Sequence, residues 1–169
     1  EEVIGIRPSK GSLAEYGITY SQVDLLPDGS FDYDGIRNAI HENTRLVTIQ
    51  RSKGYQTRPT LSVERIGELI TFIKNIKPDV ICMVDNCYGE FVEDREPLAV
   101  GADMMVGSLI KNPGGGLAPI GGYIVGKKEC VENAAYRLTS PGLGKEVGAS
   151  LGVIQSFYQG LFLAPTVVS

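Results

Sequence analysis

Residues 80–86 of the chain read Val-Ile-Cys-Met-Val-Asp-Asn, and this stretch decides the fold. Five apolar residues in succession are typical of a short strand that is buried on both faces of a sheet. Two polar residues, Asp85 and Asn86, follow the apolar run directly. In parallel sheets that are flanked by helices, ligands bind beyond the carboxyl ends of the strands. The stretch therefore predicts such a sheet and places Asp85 at its binding edge.

The rest of the chain alternates between strand and helix patterns, as a parallel sheet requires. Further strands are predicted at residues 17–26, 45–50, 104–106 and 121–125, and helices at residues 32–42, 62–76 and 146–161. The helix at 62–76 has the strongest pattern, because its apolar residues recur every three or four positions and Ser62 can cap its start. Gly148 and Gly152 are expected to let the last helix pack closely on a neighbour. We expect an α/β fold with a mainly parallel sheet flanked by helices.

Length and charge narrow the class of protein. The chain has 169 residues, which suits one domain, and a formal net charge of −4. An acidic chain argues against nucleic acid as the main partner, because phosphate binding favours a basic face. Three cysteines and one histidine make a disulfide framework and a metal site improbable and favour the cytoplasm. The uncharged stretch from Val147 to Ser169 is rich in glycine and glutamine, so we expect a buried or subunit-facing helix rather than a membrane span.

Polar residues also follow a second apolar run, and Lys111 among them lies 26 positions after Asp85. Ser108 ends the run that begins at Met104, and Lys111 follows just before the three glycines at 114–116. One crossover fits in this interval, so Asp85, Ser108 and Lys111 meet in one crevice if the two strands are neighbours. An amine in a partly dry site has a lowered pKa and can form a Schiff base. With a carboxylate for a cationic ring nitrogen and a hydroxyl for a phosphate, the set matches the tasks of holding pyridoxal phosphate.

Ordinary structural roles remain open for each of these residues. Asp85 alone could be a turn or cap residue and Lys111 a solvated loop residue, which leaves a non-catalytic α/β binding domain as an alternative. The motif G-x-S-x-G at residues 148–152 would need a strand before it and a histidine after it to form a nucleophile elbow. The single histidine, His41, lies upstream, and the segment is predicted to be helical, so a serine hydrolase is disfavoured.

Several neighbours of the predicted crevice are assigned to packing or solvent. Cys87 is predicted to be a small buried core residue. Tyr55 and Tyr88 could reach the crevice, but packing is the expected role of both. Arg51 and Lys53 could bind anionic groups, and charged residues at a strand end are expected to be solvated. The glycines at 114–116 are expected to let the backbone pass close to a cofactor.

Together, the segments Met83–Glu90 and Gly107–Gly116 resemble the fold-type-I pyridoxal-phosphate enzymes. Within that group the chain is most similar to the methionine gamma-lyase-like family, also known as aluminium resistance proteins or cystathionine beta-lyase-like proteins. The match extends along the chain, including residues 1–5 and 140–150. The resemblance implies that Lys111 holds the cofactor as a Schiff base, that Asp85 faces the ring nitrogen and that Ser108 contacts the phosphate. Ile110 stands where related lyases often have a threonine as a second phosphate contact.

The resemblance also implies an activity and an architecture. It implies a carbon–sulfur lyase that acts on a sulfur amino acid, with an aminotransferase or another lyase of the same fold as the alternative. Residues 1–169 would be part of the aspartate-aminotransferase-like large domain, with an N-terminal segment and a C-terminal small domain outside this chain. Enzymes of this fold share active sites between subunits, so a homodimer or homotetramer is expected. The partner is a small-molecule amino acid, without nucleic acid or membrane.

Overall fold

The computed structural model describes residue 4, residues 6–7 and residues 9–168 of the chain. The chain divides after Glu42 into two units, residues 1–42 and residues 43–169. In the first unit a 3-10 turn spans Leu13–Tyr16 and helix α1 spans Tyr33–Ala39. Helix α1 begins where predicted because Asp32 Oδ1 accepts a hydrogen bond from the backbone N–H of Gly35 at 2.8 Å. Of the matched segment at residues 1–5, only residue 4 lies among the described residues.

The strand predicted at residues 17–26 is wrong. Only Leu25 pairs, through an isolated antiparallel bridge to Phe31. The turn between them is closed by the N–H of Gly29, which donates to the carbonyl of Leu26 at 2.8 Å. Residues 18–24 have a strand-like alternation, but a strand needs a partner for its backbone groups, and none of the described residues of this unit forms a bridge with them.

A four-stranded sheet forms the centre of the second unit. Its strands are β1 (Leu46–Gln50), β2 (Ile81–Asp85), β3 (Met104–Ser108) and β4 (Gly122–Gly126), and they lie side by side in sequence order. Strands β1, β2 and β3 are parallel, whereas β4 runs antiparallel to β3. The mainly parallel sheet is therefore confirmed. Strand β2 is less enclosed than predicted, because Cys82 and Val84 are buried while Ile81 and Met83 on its other face are half-buried.

Three helices accompany the sheet, and one matches its prediction closely. Helix α2 spans Val63–Ile76, and Ser62 Oγ caps it by accepting a hydrogen bond from Arg65 N at 3.2 Å. Helix α3 (Lys128–Leu138) was not predicted, although Val131, Ala134, Ala135 and Leu138 recur every three or four positions; none of its residues is buried. Helix α4 spans Ile154–Val168 instead of 146–161. The chain turns at Gly148 and Gly152, where φ is +70° and +76°, and no atom lies near enough to make either glycine a packing site.

A buried carboxylate fastens α2 to the sheet. Asp103 Oδ2 is 2.6 Å from Lys74 Nζ of α2 and accepts a hydrogen bond from the backbone N–H of Cys82 at 2.7 Å. Asp103 Oδ1 is 2.5 Å from Lys127 Nζ, which precedes α3. The apolar core next to this cluster consists of buried side chains of α2 and of the strands: Val63, Ile66, Leu69, Ile70, Ile73, Ile49, Val80, Cys82 and Val84. In the described part of the chain, no helix has the length and apolar character to cross a membrane.

Candidate active site

The ends of β2 and β3 meet at one edge of the sheet. In the register of the parallel strands, Asp85 pairs with Gln50 on one side and with Val106 on the other. The N–H of Asn86 donates to the carbonyl of Val106 at 2.9 Å, which holds the residue after Asp85 against β3. Ser108 is the last residue of β3, two positions beyond Val106. The sheet therefore makes neighbours of the two strand ends that carry Asp85 and Ser108.

Lys111 lies on a tight turn directly after β3. Its N–H donates to the carbonyl of Ser108 at 3.2 Å, and its own carbonyl accepts from Gly114 N at 3.0 Å. Its Nζ lies 4.5 Å from the ring centroid of Tyr88, on the loop that follows β2. A cation over an aromatic face is attracted by the ring electrons. The turn thus directs the amine towards the loop that begins at Asp85.

The charge state of Lys111 differs from the sequence prediction. Partial burial lowers the pKa of its amine, but Cys87, Tyr88 and Asp85 together raise it more, so the pKa lies above its usual value. The predicted lowering needs a dry site, and here the amine is only half-buried beside groups that favour the cation. Lys111 is therefore a protonated amine at neutral pH in this structure.

Cys87 lies between the two candidate groups and is half-buried, so the prediction of a buried core residue is wrong. Its backbone N–H donates to Asp85 Oδ1 at 3.1 Å. Burial raises the pKa of its thiol, a hydrogen bond to Asp85 raises it further, and Lys111 opposes the rise. The thiol is therefore protonated and shares its surroundings with both residues. The position of Cys87 two residues after Asp85 was the sequence signal for this location. The prediction of a core residue rested on the lack of a histidine partner other than His41.

Ser108 is half-buried, and its Oγ accepts a weak hydrogen bond from Ile110 N at 3.4 Å. Accepting this bond leaves the hydroxyl hydrogen of Ser108 available as a donor. The Ile110 side chain next to it is exposed. The geometry therefore offers one hydroxyl at this strand end for an anionic group, and the residue before Lys111 adds no side-chain donor.

A cavity of about 390 Å³ opens beside Lys111. This volume lies within the range of small-molecule sites. The residues that line it come from the loop after β2, the lysine turn and the end of α4: Tyr88, Val92, Lys111, Asn112, Gly115, Gly116, Val167 and Val168. Asp85 and Ser108 are not among its walls, so the cavity adjoins the strand ends without enclosing them.

Gly114 and Gly115 serve a packing role that the sequence did not indicate. A Cβ on Gly115 would lie 2.4 Å from the carbonyl oxygen of Gly160, and one on Gly160 would lie 2.1 Å from that of Gly114. Helix α4 therefore crosses the lysine turn with the two backbones in contact. The expected approach of these glycines to a cofactor stays a prediction, and Gly115 and Gly116 line the cavity beside Lys111.

The prediction that Arg51 is solvated is wrong, because only 1% of its surface is exposed. Its Nη1 donates to Asn86 Oδ1 and to the carbonyl of Gly89, both at 2.8 Å. Its Nη2 donates to Glu93 Oε1 at 2.5 Å. All three acceptors belong to the loop that follows Asp85, so Arg51 anchors that loop. The sequence shows that Arg51 directly follows the strand β1. No local pattern shows that its guanidinium contacts the loop after β2.

The loop anchored by Arg51 has an unusual backbone. Tyr88 and Phe91 have φ angles of +67° and +64°, a left-handed conformation that few residues other than glycine adopt. Such strain persists only where the surroundings impose it, and it is concentrated at functional sites. Tyr88 reaches Lys111, although packing was the role predicted for it. Tyr55 and Lys53 are exposed, and neither is among the residues that line the cavity beside Lys111.

Fold and site together define a class. A mixed sheet of four mostly parallel strands, flanked by helices, is the architecture of the structural neighbours, which are fold-type-I pyridoxal-phosphate lyases. A protein of Listeria innocua, whose name relates it to the cystathionine beta-lyases and to aluminium resistance, has the same fold with a TM-score of 0.96. It is 54% identical, and the match covers 99% of this chain and 41% of that one.

The sequence comparisons narrow the class to a family. The methionine gamma-lyase family model matches residues 1–169, and the chain belongs to this family. An uncharacterised protein of Bacillus subtilis, YnbB, is 56% identical over 171 residues, which cover 100% of this chain and 41% of the relative. An L-methionine gamma-lyase of Fusobacterium nucleatum is 27% identical over 86% of this chain and 33% of its own length. The chain thus spans about two fifths of the length of the Bacillus subtilis and Listeria innocua proteins.

Proposed function

We propose that this chain is the cofactor-binding part of a pyridoxal-phosphate-dependent carbon–sulfur lyase that acts on a sulfur amino acid. The observation that carries the proposal is the convergence of Asp85 and Lys111 at neighbouring strand ends, with the Lys111 amine beside a cavity large enough for a small molecule. Membership of the methionine gamma-lyase family supports the reaction class.

The residues at the strand ends fit the groups of pyridoxal phosphate. Lys111 would bind its aldehyde covalently, Asp85 would pair with its ring nitrogen, and the hydroxyl of Ser108 would donate to its phosphate. The bound cofactor would supply an electron sink for the electrons that remain when the α-proton of an amino acid leaves. No second phosphate contact comes from Ile110, whose side chain is apolar.

Proton transfer is the task of Lys111. Its amine is protonated in this structure, so it must lose a proton before it can act as a nucleophile or as a base. Asp85 is one of the groups that hold the proton there. When Asp85 neutralises a ring cation, it favours the ammonium form of Lys111 less, and the amine becomes easier to deprotonate. The neutral Nζ of Lys111 would then be placed to take the proton from the α-carbon of a bound amino acid as a general base.

Assembly and compartment complete the proposal. Helix α4 exposes apolar side chains, among them Phe162 with 84% of its surface accessible, which suits contact with another subunit. We therefore propose a homodimer or homotetramer, to be measured by light scattering of the intact protein. The three cysteines are free, as in the reducing cytoplasm, where we place the enzyme.

The test is the visible absorbance of the intact protein before and after borohydride, followed by peptide mapping. We expect a yellow band that borohydride bleaches and a label on Lys111. Lys111→Ala should lose the covalent link and about a thousandfold or more of the activity, whereas Lys128→Ala, an exposed lysine of α3, should keep both. Thiol release from a sulfur amino acid would support the lyase, and a keto acid without thiol would indicate an aminotransferase. A colourless protein that ignores added pyridoxal phosphate would refute the proposal in favour of a binding domain.

A further inference from the structure

Glu90 is a buried acid next to the site that the proposed function leaves without a role. It lies on the loop that follows β2, five residues after Asp85, and is 3% exposed. Burying a carboxyl group costs free energy unless its polar atoms have hydrogen-bond partners. The contacts of Glu90 therefore indicate what holds it in this position.

The contacts of Glu90 join three parts of the site. Its Oε1 accepts a hydrogen bond from Tyr123 Oη of β4 at 2.7 Å. Its backbone carbonyl accepts from Asn112 Nδ2 at 3.1 Å, and Asn112 directly follows Lys111. One residue therefore connects the Asp85 loop to β4 and to the lysine turn.

The strand between these parts leaves room for the contact. Gly107 of β3 pairs with Tyr123 and directly precedes Ser108. A Cβ on Gly107 would lie 2.5 Å from Glu90 Oε1 and 2.5 Å from Tyr123 Cε1. Glycine at this position is thus what allows the Glu90 side chain to lie across the end of β3.

Burial and nearby charges act on the carboxyl group of Glu90. Its Oε2 is buried and has no hydrogen-bond partner among the described residues. Burial raises the pKa of Glu90, and the negative charges of Glu96 and Asp85 add to the rise, while the hydrogen bond from Tyr123 opposes it. Burial and Glu90 both raise the pKa of Tyr123, so the phenol keeps its proton. A buried carboxyl oxygen without a partner is costly whether or not it carries a charge, so the hydrogen bond from Tyr123 matters for holding this side chain in place.

We propose that Glu90 is a positioning residue: Tyr123 holds its carboxyl group across the end of β3, so that its backbone carbonyl keeps Asn112, and with it the Lys111 turn, against the Asp85 loop. The role rests on the proposed function, because it matters only if Lys111 and Asp85 act on one bound molecule. Loosening the bridge would let the Lys111 nitrogen move away from the charge of Asp85, which favours its protonated form.

The experiment uses the intact protein loaded with pyridoxal phosphate. The pH midpoint of the visible band and the rate of thiol release are measured for Glu90→Gln, Glu90→Ala and Tyr123→Phe. Glu68→Ala and Tyr136→Phe, on exposed positions of α2 and α3, are the controls. We expect the midpoint to fall by about 0.5 unit in Glu90→Ala and Tyr123→Phe, a threefold change in the protonation equilibrium. Their rates should fall about tenfold or more, because small misplacements of reacting groups are costly.

Glu90→Gln tests the bond to Tyr123. It keeps a carbonyl acceptor for Tyr123, so its midpoint should remain with the wild type. A shift in Glu90→Gln as large as that in Glu90→Ala would overturn the role of this bond, and unchanged midpoints in all three variants would overturn the positioning role. Tyr123→Phe removes a single oxygen and decides the matter if Glu90→Ala does not fold. A wild type with no visible band would refute the proposed function and, with it, the role of Glu90.

Discussion

Replacing Arg51 by methionine removes the donors beneath the Asp85 loop while nearly keeping the volume of the side chain. Two acceptors, Asn86 Oδ1 and the carbonyl of Gly89, are bonded at 2.8 Å and sit on fully or largely buried residues. Each buried acceptor left unpaired costs about 1–3 kcal/mol. The Glu93 and Glu96 carboxylates lie 2.5 Å and 3.5 Å from the Arg51 guanidinium. Their side chains are 34% and 30% exposed, so water can replace part of their interaction with Arg51.

The expected loss in the free energy of unfolding is about 3–5 kcal/mol, the range found when one partner of a buried ion pair is removed. Arg51→Lys should lose less, because it keeps the charge, but a single ammonium cannot reach all these acceptors at once. Urea unfolding of the intact protein at neutral pH, followed by circular dichroism, measures the difference. Arg45→Met, an exposed arginine just before the same strand, should change stability by about 0.5 kcal/mol or less. A loss below about 1 kcal/mol in Arg51→Met would show that water satisfies the loop and that Arg51 does not anchor it.

Two further predictions concern groups outside the site. Burial raises the pKa of Asp103, but hydrogen bonds from Lys127, Lys74 and Cys82 N outweigh it and hold the pKa below its usual value. Its stabilisation is therefore present above the unfolded pKa of about 4 and is lost as pH falls through the lower folded value. Asp103→Asn should cost about 1–3 kcal/mol at pH 7 and progressively less under acid, measured by urea unfolding; a gap that does not shrink with pH would contradict this. Burial raises the pKa of the Cys82 thiol to about 11, so at pH 8 iodoacetamide should label Cys130 well before Cys82, and equal rates in mass spectrometry would count against the buried position.

Sequence reasoning succeeded where a local pattern has one physical cause. The apolar run before Asp85 predicted a strand, and the three-and-four spacing after Ser62 predicted a helix, because burial on one face imposes that period. It failed at residues 17–26 and 146–161. Residues 17–26 lack a pairing partner apart from the single bridge of Leu25, and the positive φ angles at Gly148 and Gly152 move the start of the last helix from 146 to 154. Helix α3 was missed although its apolar residues recur with a helical period; two of the four are alanines, and none is buried.

The candidate site shows the same division. The sequence placed Asp85, Ser108 and Lys111 after successive strands, and the structure shows that those strands are neighbours. It could not show Arg51 beneath the loop, Cys87 between the acid and the amine, or Glu90 across the end of β3. These contacts join residues that are far apart in the chain or that depend on how a loop folds back. No local pattern encodes them.

The sequence by itself determined the parallel sheet, the helix α2 and the order of the polar residues at the strand ends. These follow from hydrophobic periodicity and chain connectivity, which act over a few residues. Only the tertiary structure decided the protonated state of Lys111, the burial of Arg51 and Glu90, and the contact of α4 with the lysine turn. Burial and charge are sums over every neighbour in space, so they become defined only when distant segments have packed together.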